Sequence, residues 1–272
     1  MDKVYPLSTP MVVRSLDPKK DLFCPKEDDE QILSPEVPYL NAIGALMYLA
    51  QCTKPNIAFS VNLLAQFNSE PTRRHLNGVK HIFRYLLGTI DLGLFYSKEL
   101  TKNPSLVGYA DTGYLSDPHK ARSQTGYIFT FKGTAIFWKS TKQTLVATSS
   151  NHSEILALHK ASRECIWLQS VIHHIQSTCR ISSNSDILTV IYEDNVACIT
   201  QLRGGYIKGN ITKQILPKFF YTHELQQNKK INIKQICSME NLAYMFTKAL
   251  PTSTFEKLLY GIGMRHFNKL LN

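Results

Sequence analysis

Three carboxylates in the second part of this 272-residue chain stand where chemistry is possible. Asp111 closes the short apolar run Gly108-Tyr109-Ala110-Asp111, Glu154 falls in the first turn of a long helical pattern, and Asp194 ends a second apolar run in Tyr192-Glu193-Asp194-Asn195. If the first and fourth strands are neighbours, Asp111 and Asp194 project from one edge of a sheet, and a helix packed across that sheet can bring Glu154 to the same edge. Three acids that meet repel one another unless cations neutralise them. Hard divalent cations such as Mg²⁺ prefer oxygen ligands of this kind. Two such ions about 4 Å apart can activate a water and stabilise the leaving oxygen in phosphodiester hydrolysis. Each acid also has a plainer reading. Asp111 can be a turn residue after a strand, Asp194 the N-cap of the next helix, and Glu154 the partner of Asn151 in a capping box. Spacing permits a metal site and does not by itself establish one.

The elements that must position these acids are legible. Leu106 to Ala110 is short and apolar, Tyr127 to Phe131 is aromatic and β-branched, and Thr134 to Trp138 follows the turn-like pair Lys132-Gly133. Three strands in succession predict an antiparallel meander. Ile155, Leu158, Ala161, Cys165, Leu168, Ile172 and Ile175 recur every three or four residues, so a long helix is expected over about 151–175. The nearly unbroken apolar run 187–192 suits a central strand. A short helix from Val196, a helix around Phe219–Gln226, a strand at Ile231–Ile236 and a C-terminal helix from about 241 complete the order β-β-β-α-β-α-α-β-α. The expected class is α/β, a mixed sheet flanked by helices. Trp138 and Trp167 are expected to anchor the core.

Upstream the pattern differs. Residues 1–36 hold five prolines and the acidic run Glu27-Asp28-Asp29-Glu30, and read as an extended, poorly packed leading segment. Residues 37–100 read as three helices, one near Tyr39–Ala50, one after Pro55, and one over 72–88. The divisions expected are therefore 1–36, a mainly helical 37–100, a strand-and-helix domain at 101–250, and a helical tail at 251–272.

The net charge of +10 is unevenly spread. Residues 1–100 carry 11 basic and 11 acidic residues, which leaves 20 basic and 10 acidic residues beyond. A basic domain beside a neutral one suggests a polyanionic partner, nucleic acid first. Six scattered cysteines include no C-x-x-C pair, which argues against a zinc ribbon or a disulfide framework. His152-Ser153-Glu154 matches the H-x-E of zinc deaminases, but the P-C-x-x-C that must accompany it is missing from the sequence. No apolar signal core opens the chain and no run of about 18 apolar residues occurs. No membrane partner and no small-molecule cofactor are expected, and a cytoplasmic or nuclear setting is.

Literal motifs narrow the reading. Tyr109-Ala110-Asp111, Arg122-Ser123-Gln124-Thr125-Gly126-Tyr127-Ile128-Phe129, Trp138-Lys139-Ser140-Thr141-Lys142-Gln143, Val146-Ala147-Thr148-Ser149-Ser150-Asn151-His152-Ser153-Glu154, Asp194-Asn195 and Phe246-Thr247-Lys248-Ala249-Leu250-Pro251 occur in that order. Together they resemble the ribonuclease H region of copia-type retrotransposon Pol polyproteins, with a plant flavour. Upstream, Pro38-Tyr39-Leu40-Asn41-Ala42-Ile43-Gly44-Ala45-Leu46-Met47-Tyr48-Leu49-Ala50 and His81-Ile82-Phe83-Arg84-Tyr85-Leu86-Leu87-Gly88-Thr89 resemble the reverse transcriptase thumb and connection of the same polyproteins. The resemblance implies a ribonuclease H-like sheet flanked by helices after a helical thumb and connection. It implies cleavage of the RNA strand of RNA–DNA hybrids, with Mg²⁺, two ions when active, held by Asp111, Glu154 and Asp194. No reverse transcriptase palm with its Asp-Asp pair is seen, so polymerase activity is not expected, and the first residue matches a point inside the longer polyprotein, as expected of a truncated gene remnant or of a gene model started at an internal Met.

Two departures bear on that activity. The family's fourth acid belongs in Leu-Ala-Asp-x-Phe-Thr-Lys, and here the stretch is Leu242-Ala243-Tyr244-Met245-Phe246-Thr247-Lys248. Tyr244 offers a neutral phenol where a carboxylate is due, a poor ligand for Mg²⁺. Gln214, in Thr212-Lys213-Gln214-Ile215, stands where the family usually has His. The expectation is a fold that survives and cleavage that is weakened or lost. The alternatives are a module that grips nucleic acid without cutting, or an inert relic.

Overall fold

The architecture follows from where apolar residues recur. A computed structural model of the chain describes residues 5–15, 17–97, 106–180, 188–207 and 213–269. Gln214, at the second departure, lies exposed just before a helix, and Thr212 falls outside the described residues.

The helical part comprises α1 (Tyr39–Cys52), a 3₁₀ turn at Pro55–Ile57, α2 (Ala58–Ala65) and α3 (Arg73–Gly88). Pro55 separates the first two because its ring fits only the first turn of a helix. Tyr39, Ile43, Leu46 and Ala50 form the buried stripe of α1, and His75, Val79, Ile82 and Tyr85 that of α3. Among its described residues the leading segment has neither helix nor strand, yet it is not loose. Met11, Phe23 and Cys24 are buried, and Arg14 binds the carboxylate of buried Asp21 through two nitrogens at 2.7 and 2.5 Å. Its acidic run is tied down too, since Arg74 pairs with Glu27 and Glu30. The proline-rich composition signals the lack of regular structure but not this packing.

A short strand β1 (Leu92–Leu94) leads to the main sheet of β2 (Leu106–Asp117), β3 (Arg122–Phe131) and β4 (Thr134–Lys142). These three form the predicted antiparallel meander. Lys132 and Gly133 turn between β3 and β4 with φ of 51° and 76°. Two positive values match the twist that a two-residue hairpin requires. The helix α4 (Ser150–Thr178) follows, then β5 (Thr189–Glu193), α5 (Val196–Gly204), α6 (Leu216–Gln227) and β6 (Ile231–Gln235). The strand order is β4-β3-β2-β5-β6, with β5 parallel to both β2 and β6. The first and fourth strands of this sheet are therefore neighbours.

The expected C-terminal helix from 241 is instead a 3₁₀ turn at Leu242–Phe246, and the helix α7 (Thr252–Gly261) starts only after Pro251. Residues before a proline are driven from helical backbone, which delays the start. The strand β7 (Met264–His266) then pairs antiparallel with β1.

Each face of the sheet is covered. On one side α4, α5 and α6 pack Ile155, Leu158, Cys165, Ile199, Leu202 and Phe219 onto Leu106, Ala110, Phe129, Ile191 and Ile233. On the other, α1 to α3, α7 and the 3₁₀ turn share a core with Ile128 and Ala135 of the sheet. Trp138 packs beside that core and its indole N–H donates to Ala50 O at 2.7 Å. Trp167 does not anchor the core as expected. It is 52% exposed and lies against Phe137 at the sheet surface, because α4 turns it away from the stripe that Cys165 and Leu168 define. Among the described residues, no helix is long and apolar enough to cross a membrane.

Candidate metal centre

The plain readings of the three acids give way to one another's company. Asp111 is not a turn residue at a strand end. It lies inside β2, opposite Gly126 of β3, and is 3% exposed. Asp194 is not a helix cap, since Asn195 caps α5 by accepting from Cys198 N–H at 2.9 Å. Glu154 is not held in a capping box, since Ser149 caps α4 by accepting from His152 N–H at 3.2 Å. Freed from these duties, Asp111, Glu154 and Asp194 each present a carboxylate oxygen, and these atoms all lie within 4.8 Å of one another.

Backbone elements enforce the meeting. β2 and β5 run parallel and paired, which places Asp111 and Asp194 toward the same end of the sheet. Gln143 fixes the start of α4. Its buried amide nitrogen donates to Ser153 O and Thr125 Oγ1, both at 3.0 Å, and so ties the residue before Glu154 to the sheet. The 3₁₀ turn closes the third side. Asn241 donates to Ala110 O at 2.7 Å, and Thr247 donates its hydroxyl to Asp111 Oδ2. The turn can lie this close because Gly126 has no side chain: a Cβ there would meet Phe246 Cβ at 2.7 Å and Ala243 O at 2.8 Å.

The electrostatics are those of crowded, desolvated acids. Burial pushes the Asp111 carboxyl up to about 6; the Lys248 ammonium and the Thr247 hydroxyl oppose this, and Asp194 adds to it. Burial raises Glu154 well above the ordinary glutamate range, and Glu193, Asp111 and Asp194 push it further. One oxygen of Glu154, Oε2, is buried without a hydrogen-bond partner. A buried polar atom left without a partner calls for an explanation, and oxygen donors grouped in this way could hold a hard cation.

Three neighbours were not singled out as site residues by the sequence. Glu193 is fully buried on the inward side of β5, with Oε2 also unpartnered, and burial raises it as well. Its signal was available: in β5 the buried positions are Thr189, Ile191 and Glu193, so an acid fell in the inward register. Thr247 and Lys248 join only because the 3₁₀ turn folds back over β2, which no periodicity announces. Tyr244, at the degenerate fourth-acid position, is half-buried beside the core shared with α1 to α3, and the Lys248 ammonium sits 3.8 Å from its ring centroid. His173 and His174, near the end of α4, are exposed.

The observed class is the expected one, α/β, with a five-stranded mixed sheet covered by helices on both faces. No family model matches the chain. The retrovirus-related Pol polyprotein from transposon TNT 1-94 of Nicotiana tabacum is 32% identical over 264 residues, covering 97% of this chain and 19% of that polyprotein. A secreted RxLR effector protein, number 161, of Plasmopara viticola is 42% identical over 132 residues, covering 48% of this chain and 92% of its own. Among solved structures, LC11-RNase H1 in complex with an RNA/DNA hybrid aligns at a TM-score of 0.34 and 16% identity, over 50% of this chain and 88% of that one. Over most of its length the chain is similar to retrovirus-related Pol polyproteins of plant transposons. It spans about a fifth of the length of the tobacco polyprotein.

Proposed function

We propose that this ribonuclease H-like domain acts on the RNA strand of RNA–DNA hybrids through divalent cations, Mg²⁺ first, held by Asp111, Glu154 and Asp194, with cleavage impaired by Tyr244. The observation that carries the reading is the convergence of three carboxylate oxygens within 4.8 Å from three separate elements, with a buried oxygen of Glu154 left unpartnered among them. Oxygen donors at that spacing suit a hard cation, so the residues fit the ion. Bound there, Mg²⁺ would supply water activation and stabilisation of the leaving oxygen. The chain's own contribution is position. Thr247 orients Asp111, Gln143 anchors the turn that carries Glu154, and half-buried Asp194 lies nearest solvent, where a phosphodiester can approach. The excess of basic residues beyond residue 100 supports contact with a nucleic-acid backbone.

The purified chain, incubated with a labelled RNA–DNA hybrid and Mg²⁺, should cleave weakly or not at all. Tyr244→Asp should raise cleavage and Asp111→Asn should remove it. Full turnover by the unaltered chain would refute impairment, and absence of cleavage in a folded Tyr244→Asp protein would refute the catalytic reading. A second reading is favoured by Tyr244 itself: the domain grips hybrid without cutting. Binding that weakens steeply with salt supports it, and salt-insensitive binding or none counts against it.

A further inference from the structure

Outside the acidic centre, the flank of the sheet beside α4 carries aromatic and basic side chains that no part of the proposed reaction uses. β4 is an edge strand, and α4 packs over β2 and β3, which leaves the same face of β4 largely open. Side chains two apart share a face of a strand. Half-buried Phe137, which packs toward α4, therefore shares its face with exposed Lys139. Residues three, four and seven apart share a face of a helix, which groups Lys160, Arg163, Glu164 and Trp167 on α4. The two rows meet where the Phe137 and Trp167 ring centroids lie 5.7 Å apart. Behind Phe137, Tyr127 stacks at 6.3 Å. The rings thus run from buried Tyr127 through Phe137 to Trp167, which is 52% exposed. A large ring braced by others at the surface is a stacking face already set in place. Among the described residues, Lys139, Lys160 and Arg163 take part in no ion pair.

We propose that this face binds single-stranded nucleic acid: Trp167 takes an unpaired base on its ring, and Lys139, Lys160 and Arg163 take the flanking phosphates. The site is separate from the acidic centre, since Trp167 lies about 20 Å beyond Glu154 along α4. An aromatic ring stacks on a base of any kind, provided that the base is unpaired and can reach it, and cations beside it follow the backbone. Three cations against the single acid Glu164 leave the face positive, which suits a polyanion of any sequence. Carboxylates of an acidic peptide would satisfy the cations but leave the indole face bare, whereas a base covers it.

The test is titration of the whole chain with a labelled oligo-dT strand, which cannot pair with itself, in chelator so that the acidic centre plays no part. Anisotropy of the label gives the affinity, and tryptophan fluorescence reports the stacking. The chain has two tryptophans, and the indole N–H of half-buried Trp138 is bonded to Ala50 O. Binding should therefore quench a signal that Trp138→Phe retains and Trp167→Phe loses. Trp167→Ala should weaken binding on the order of tenfold; the ring is exposed, so the fold is kept, which circular dichroism checks. Lys139→Gln, Lys160→Gln and Arg163→Gln should each weaken binding and lower the slope of log affinity against log salt by about 0.7. Lys234→Gln, exposed at the opposite edge of the sheet, should do neither. Unaltered affinity in Trp167→Ala, or equal losses in Lys139→Gln and Lys234→Gln, would overturn the proposal. So would a poly-glutamate peptide that binds more tightly than the strand and loses that affinity in Trp167→Ala, which would assign the face to an acidic protein segment.

Discussion

Without metal, the acidic centre should cost the fold stability, and Asp111→Asn measures that cost. Asp111 is 3% exposed and burial raises its carboxyl from the ordinary 3.8 to about 6. A group whose folded pKa is raised binds its proton more tightly when folded, so folding is penalised wherever the group must ionise. The penalty is absent below about pH 4, grows through the interval up to about 6, and is complete above it. A proton affinity changed by on the order of a hundredfold is worth up to about 3 kcal/mol. Asparagine carries no charge and can still accept from Thr247, so the variant should be more stable at pH 7.5 by about 1–3 kcal/mol. The gain should fall to about half at pH 5 and vanish near pH 4. Urea titration in chelator reads this directly: at an m value of about 2–3 kcal/mol/M, a gain of about 2 kcal/mol moves the midpoint by somewhat under 1 M. Adding Mg²⁺ should reverse the order, since only the unaltered centre gains by binding, by about 2.7 kcal/mol at a hundredfold excess over Kd. Equal stability at pH 7.5, or a difference that ignores pH, would refute the argument. It would mean that Lys248 and Thr247 already compensate the buried charge in full.

Two further outcomes follow from the packing. Gly126→Ala should drive the Leu242–Phe246 turn off β3, because the new methyl has 2.7 Å to Phe246 Cβ and 2.8 Å to a backbone oxygen; a loss of about 1–3 kcal/mol in chemical denaturation is expected, and a variant as stable as the parent would show that the turn is free to shift. Asp21→Asn should destabilise by about 3–5 kcal/mol by leaving buried Arg14 unpaired. Burial works to raise Asp21, but the bonds from Arg14, Phe23 N–H and His119 outweigh it and hold the carboxyl low. Its contribution is therefore present above the ordinary aspartate range and lost as pH falls through its lowered value. Acid titration of stability should show a step in the parent that the variant lacks.

The sequence determined much here by local physics. Period-3.6 apolar spacing located α1, α3 and α4, since each needs one buried stripe, and Lys132-Gly133 located the hairpin, since only positive φ makes that turn. The acids could be read as a set only because each followed or opened a recognisable element. Element ends were less legible. β2 runs on to Asp117, past where its apolar run stops, because strand pairing with β3 continues through polar residues. What only tertiary structure decided was company. Asp111 is no turn residue because β2 pairs on with β3 opposite Gly126, the caps fell to the adjacent Asn195 and Ser149, and the meeting of the three acids depended on elements far apart in sequence. The leading segment, unpatterned by itself, is held by Arg14 and by Arg74 of α3. Lys248 and Thr247 reached the centre through a non-periodic turn seated over Gly126. Periodicity records which side of one element is buried; it holds no information about which elements meet, and charge balance at the centre is set by that meeting.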